Sequence, residues 1–172
     1  MDTETTEFAQ FMVASWPSLN RFAYLLCGNV PDAEELAQAA LVRAYLSWGT
    51  IQRKASAESF ARTCMVRVHL NERRRLGRDR RAVQRLASHP TESAGTPESD
   101  ELWVCLTRLP PRQRTVLVLR YYEGLSEREI AGVMGISTGT VKSQASKALG
   151  ALRTYVYAQG ALTDSEGSEG HG

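Results

Sequence analysis

Between Thr138 and Lys147 the chain carries Thr138, Thr140, Lys142, Ser143, Gln144, Ser146 and Lys147. These are hydroxyls, an amide and two ammonium groups, with no carboxylate among them. The set donates hydrogen bonds and positive charge. It suits an acceptor-rich surface such as the major groove of a nucleic-acid duplex, where phosphates and most base edges accept. Bond-making chemistry has no comparable support. No catalytic triad, paired metal carboxylates or phosphate-cradling glycine loop occurs in the chain.

The donors need a rigid carrier, and the flanking residues supply one. Val141, Ala145, Ala148, Leu149 and Leu152 recur at helical spacing, so a helix presents the donors on its other side. Ser137 is a suitable N-cap for it. Upstream, Ser126 and Glu129 form an S-x-x-E capping box that starts a shorter helix with Ile130, Ala131, Val133 and Met134 inward. Gly135 lies between the two helices, where a positive φ is needed. The spacing of Ala131, Gly135 and Val141 is that of a helix-turn-helix. Taken by itself such a match also fits an ordinary helical hairpin with a solvated polar face.

Charge is strongly segregated behind a net value of +2. Residues 1–50 are net −4, residues 51–85 net +8, residues 86–100 net −3, residues 101–157 net +4 and the remainder net −3. Two basic blocks separated by an acidic spacer suggest two polyanion contacts on one chain. The run NERRRLGRDRRAVQR dominates the first block; its plainer reading is a solvated basic helix.

No apolar run approaches the ~20 residues of a membrane span, and the N-terminus has no signal-peptide pattern. Cys27, Cys64 and Cys105 are odd in number and widely spaced, which fits buried thiols in a reducing compartment better than disulfides or a zinc site. His69, His89 and His171 have no metal-ligand spacing with them. The expectation is a cytoplasmic protein with no metal, no cofactor and no membrane insertion.

Helical periodicity runs nearly throughout, and no segment alternates as a strand would. A helix is predicted over Glu7–Leu26 with Phe8, Phe11, Trp16, Leu19, Phe22 and Leu26 as core, closed by Gly28 and Asn29. Pro31 and Asp32 open another, running to about Trp48. After a polar loop over 49–57, a long helix begins near Glu58 with Phe60, Cys64, Val68 and Leu70 inward. LASHPTESAGTPESD, residues 86–100, reads as a flexible linker. A short helix starts at about Glu101 and is ended by Pro110, and Pro111 fits the first turn of the next. The polar tail over 158–172 is expected not to fold. The fold class is therefore all-α: two small helical domains, 1–85 and 101–157, joined by a flexible linker.

At this point the residues resemble a known family. AYLLCGNVPDAEELAQAALVRAYLSW and LPPRQRTVLVLRYYEGLSEREIAGVMGISTGTVKSQ, in that order and spacing, are similar to the extracytoplasmic-function sigma factors of the sigma-70 superfamily, in their SigE-like actinobacterial branch. The resemblance covers roughly residues 7–85 and 101–155. It implies a sigma region 2 bundle that binds core RNA polymerase and opens the −10 element, and a region 4 helix-turn-helix that reads the −35 element. Partners implied are promoter DNA, the polymerase's largest-subunit clamp helices and flap, and, for many members, an anti-sigma factor. The polymerase-binding pattern falls on Asp32, Glu34, Glu35 and Gln38; an acidic, amide-bearing helix can dock on a basic coiled coil. The plainer role of those acids is to favour a helix N-terminus. Ala39 departs from the family, whose members usually carry an acid there.

By the same resemblance, Arg53, Lys54, Arg62, Arg67, Asn71 and Arg74 lie along the melted −10 strand, where cations hold a single-stranded backbone. Arg67 replaces the asparagine usual in relatives. The −35 duplex is assigned to Thr138, Thr140, Lys142, Ser143, Gln144 and Lys147, with Arg112 and Arg114 gripping flanking phosphates. Gln144 stands where relatives commonly have arginine, and Ala145 where they have a larger apolar residue. Glutamine favours adenine and arginine guanine, so a shifted −35 preference is expected. The function implied is a promoter-specificity subunit. The alternative is a stand-alone helix-turn-helix regulator that binds duplex DNA without being a polymerase subunit. A third reading is an interaction module whose basic helix meets an acidic partner or RNA.

Overall fold

The computed structural model describes residues 2–51, 54–83 and 97–166. Its chain divides into two compact units, Met1–Thr91 and Glu92–Gly172. The described residues form helices and contain no strand, as an all-α fold requires.

Among its described residues the first unit holds three helices, α1 (Thr3–Cys27), α2 (Val30–Leu46) and α3 (Lys54–Val83), with a 3-10 turn at Trp48–Thr50. Gly28 ends α1 in the left-handed region at φ 83°, its amide donating to the Tyr24 carbonyl at 2.9 Å. Asn29 then caps α2, its Oδ1 accepting from the Asp32 amide at 3.0 Å, with a proline inside the first turn. Helix α1 packs on α2, with Leu19, Phe22, Ala23 and Leu26 of the first and Ala33, Leu36, Ala37, Ala40 and Ala44 of the second buried. The alanines recur at helical spacing, and so small a face lets helix backbones approach closely.

The register of α3 differs from expectation. The buried stripe is Ala57, Ala61, Met65, Val66 and His69, whereas Phe60, Cys64, Val68 and Leu70 lie at its flank, half-buried. Close approach to α1 and α2 selects small residues at the centre and leaves bulkier ones at the edge. Phe8 and Trp16 are likewise half-buried; Phe8 packs edge-on against Tyr45 and Trp48, with ring centroids 5.0 and 5.2 Å apart. The helix also starts earlier than predicted, at Lys54.

The second unit contains α4 (Pro97–Arg108), α5 (Pro111–Leu117), a π-turn over Val118–Tyr122, α6 (Glu127–Met134) and α7 (Thr138–Glu166). Residues 97–100, predicted as linker, are the first turn of α4. Pro97 at the helix start and the acids Glu98 and Asp100 just after it favour helix there. The rest of the predicted linker, 86–96, lies outside the described residues. Over 158–166 the tail differs from expectation: α7 runs through Gly160 to Glu166, since one glycine weakens a helix by only about 1 kcal/mol and no proline intervenes, while residues 167–172 lie outside the described residues. Helix α7 packs on α4, α5 and α6. Leu109, Leu117 and Ala148 centre that core, with Leu106, Leu149, Ala151, Leu152 and Tyr155 against them.

Candidate nucleic-acid interface

The helix-turn-helix is built from strictly local chemistry. The Ser126 hydroxyl accepts from the Glu129 amide at 3.2 Å, and the Glu129 carboxylate accepts from the Ser126 amide at 2.7 Å. That backbone bond, helped by the Ser126 hydroxyl, holds the Glu129 carboxyl below its ordinary value. Gly135 ends α6 at φ 66°, its amide reaching the Ala131 carbonyl, and a Cβ added there would meet nothing within 4 Å. Glycine is favoured by the backbone angle rather than by space. Ser137 caps α7 by accepting from the Thr140 amide at 3.1 Å, and its hydroxyl lies 2.9 Å from that of Thr140.

Below the turn α6 packs on α7, with Ile130 and Ala131 of the first and Val141, Ala145 and Ala148 of the second buried. With that side of α7 fixed inward, Thr138, Lys142, Ser143 and Lys147 are exposed, and Thr140 and Gln144 half-exposed. All six predicted positions thus share the first three turns of one helix. A carboxylate absent from this stretch of α7 is returned by the fold. Glu127, at the start of α6, lies 3.7 Å from the Lys142 ammonium and accepts from Arg120 at 3.3 Å.

Arg112 and Arg114 part company. Arg112 is exposed on the first turn of α5. Arg114 is only 7% exposed, and its guanidinium donates to the carbonyls of Thr107 at 3.0 Å and Leu109 at 3.2 Å. It ties α5 to the end of α4, so its placement differs from the outward grip expected of it. Sequence spacing alone cannot distinguish the two arginines. The neighbouring π-turn buries Val118 and Leu119 and exposes Tyr121 at 63% and Tyr122 at 45%.

In the first unit, Arg67, Asn71 and Arg74 are exposed along α3. Arg62 is half-buried. Its Nη2 donates to Glu58 at 2.9 Å and to the Ser18 hydroxyl at 2.7 Å, and Cζ lies 5.9 Å from the centre of the Phe22 ring. Arg53 lies outside the described residues, and Lys54 opens α3. Half-burial raises the Cys64 thiol above its ordinary value, opposed by the charges of Arg43 and Arg67.

Asp32, Glu34, Glu35 and Gln38 are all exposed on the first half of α2, and Asp32 accepts from the Asn29 side-chain amide at 2.9 Å. Sequence reasoning missed the second half of that helix. Val42, Tyr45 and Leu46 are also exposed, Leu46 at 78%, so the acidic stretch continues into an apolar one. The signal was available: Gln38, Val42 and Leu46 are four residues apart and share a face. Among the described residues no group of histidine, cysteine and acidic side chains could hold a metal, and no helix is long and apolar enough to cross a membrane.

Comparison with known proteins agrees with this arrangement. Sigma-70 region 2 matches residues 13–79, and Sigma-70, region 4 matches residues 99–152. The chain is 34% identical to the RNA polymerase sigma-E factor of Streptomyces coelicolor over 158 residues, 91% of this chain and 89% of that one. It is 30% identical to the ECF RNA polymerase sigma factor EcfG of Rhodopseudomonas palustris, covering 87% and 85%. Among solved structures, the fold resembles the sigma factor RpoE of Bartonella quintana, solved in complex with the anti-sigma factor NepR. There the TM-score is 0.66 at 23% identity, covering 88% of this chain and 97% of that one. It also resembles CnrH, solved in complex with the cytosolic domain of CnrY, with TM-score 0.58 at 23% identity and 90% of each chain covered. With both sigma regions matched in order and sigma factors related along most of its length, the chain belongs to the sigma-70 family, as an ECF RNA polymerase sigma factor.

Proposed function

We propose that the two units divide promoter recognition as the charge blocks suggest. The exposed, carboxylate-free face of α7 lies in the −35 major groove. Lys142 and Lys147 meet phosphates or base edges there, and Gln144 makes the amide contact that favours adenine. Arg112 holds the flanking backbone. In the first unit, Arg67, Asn71 and Arg74 track the melted −10 strand, with Arg53 and Lys54 near its entry. Arg62, turned toward Ser18 and Glu58, serves that surface from its edge.

Asp32, Glu34, Glu35 and Gln38 dock on a basic coiled coil of core RNA polymerase, and Val42 and Leu46 extend the contact with apolar area. Tyr121 and Tyr122 are suited to the polymerase flap. Nucleotidyl transfer belongs to the polymerase, and this chain supplies position and specificity in the cytoplasm. An anti-sigma factor covering the α2 surface is a natural inhibitor, a reading supported by the fold's likeness to a sigma factor solved with one.

The observation that carries this reading is the α7 face, where six donors project from a helix capped and seated by Ser126, Gly135, Ser137 and Val141. Run-off transcription on genomic DNA, with purified core polymerase and with or without this protein, tests it. New discrete start sites preceded by two recurring elements are expected. Sequence-specific duplex binding by the protein alone, with no binding to core enzyme, would instead establish the stand-alone regulator.

A further inference from the structure

The face that α7 presents to DNA is free of acids along its own helix, yet the fold places one beside it. Glu127 sits at the first position of α6 and faces two cations at once. Its Oε1 accepts from Arg120 Nη1 at 3.3 Å, and its Oε2 lies 3.7 Å from Lys142 Nζ. The carboxylate side chain is 32% exposed, Arg120 38% and Lys142 68%, so the triad stands at the rim of the reading face, open to solvent. Resting on the −35 reading above, we infer that Glu127 is a specificity-determining residue: it holds Lys142 in place and discounts its charge toward phosphates that lack the right bases.

Two physical effects point the same way. First, the triad carries net charge +1; without the carboxylate it carries +2. Non-specific binding is almost wholly a matter of neutralised phosphates, so the acid weakens binding to every sequence. Second, an unrestrained lysine side chain has many rotamers, and immobilising one on binding carries an entropic cost. A partner beside the reading face restricts Lys142 before DNA arrives. That advantage is realised only where the lysine finds its acceptor, which is the matched site. The acid therefore subtracts from all sites and returns something to the correct one, which is how repulsive elements widen a difference in affinities.

The plainer role of Glu127 is a favourable acid at a helix N-terminus. That role predicts a change in stability and none in discrimination, so the measurement is chosen to separate them. Holoenzyme made from core polymerase and the full chain would be compared as wild type and Glu127→Gln, which keeps shape and removes charge. Binding is measured as a function of salt on a promoter duplex and on one with the −35 element scrambled. On the scrambled duplex the variant should bind several-fold more tightly, with the salt slope steeper by about 0.9, the value for one more neutralised phosphate. On the intact promoter the gain should be smaller or absent, so the ratio between duplexes falls about fivefold or more. In a Lys142→Met background, Glu127→Gln should leave that ratio unchanged.

An unchanged slope and ratio would overturn the inference, and so would equal gains on both duplexes, which would mean charge without specificity. Wild-type holoenzyme that ignores the −35 scramble would refute the underlying assignment of α7 instead, so the two failures are told apart.

Discussion

Replacing Arg114 with methionine should loosen the second unit rather than release a phosphate. The Arg114 guanidinium, 7% exposed, donates to two main-chain carbonyls, Thr107 at 3.0 Å and Leu109 at 3.2 Å. Hydrogen bonds to a charged group contribute about 1.5–3 kcal/mol each, so the pair is worth roughly 3–6 kcal/mol gross. Methionine keeps most of the stem volume and removes a charge that is expensive to bury, offsetting part of the loss. A net destabilisation of about 2–4 kcal/mol results once that offset is taken from the gross figure. In a unit of this size each kcal/mol moves the midpoint by about 4–8 °C, so the melting temperature should fall by roughly 10 °C or more.

Arg112→Met supplies the contrast, because Arg112 is exposed on the same helix. Its melting temperature should match wild type, while the salt slope of promoter binding should flatten by about 0.9. Circular dichroism of the whole chain reads the first quantity, and hydrogen exchange over 111–117 and 138–152 locates the loosened segment. The reasoning is refuted if Arg114→Met melts like wild type and flattens the salt slope as Arg112→Met does. The guanidinium would then be meeting phosphate, and the carbonyl contacts would be of no consequence.

Met65, fully buried where α3 meets the first unit's core, should cost about 2–5 kcal/mol on replacement by alanine, read by denaturant unfolding. Because the Glu129 carboxyl is held below its ordinary value of 4.5, its contribution to stability is fully present above that value. It is lost as the pH falls through the depressed native value, so wild type should lose its advantage over Glu129→Gln in acid and keep it at neutral pH. Reversing the charges at Glu34 and Glu35 to lysine should weaken binding to core polymerase by about tenfold, measured by titration of labelled protein, with thermal stability little changed because both side chains are exposed.

What could be read from the residues was whatever closes within about four positions. The Ser126–Glu129 box, the Gly28 and Gly135 terminations and the Ser137 cap each depend on a few adjacent residues, so composition and order suffice. The inward side of α3 depends on two other helices. Phe60, Cys64 and Val68 are the larger apolar groups, but the alanine-rich face of α2 selects a neighbour of similar smoothness, and Ala57 and Ala61 supply it. The same limit hid Glu127. Its distance to Lys142 is fifteen positions along the chain and 3.7 Å across the turn.

Once that register is known, the fate of the arginines on α3 is a matter of geometry. An α-helix turns by about 100° per residue, so Ala61, Met65 and His69 lie within about 40° of one direction. Measured from Met65, Arg67, Asn71 and Arg74 fall at about 200°, 240° and 180°, on the opposite side, and all three are exposed. Arg62 falls at about 60°, on the border of the packed face, where its guanidinium meets Ser18 and Glu58 and passes over Phe22. A basic run is therefore not a uniform contact surface. Its members are sorted by the helix on which they ride: those opposite the core face outward, where a nucleic-acid backbone can reach them, and those at the border are enlisted to hold helices together. Position 67 is thus on the fully outward side of α3. A substitution there changes what the surface of α3 offers without disturbing what the helix packs against.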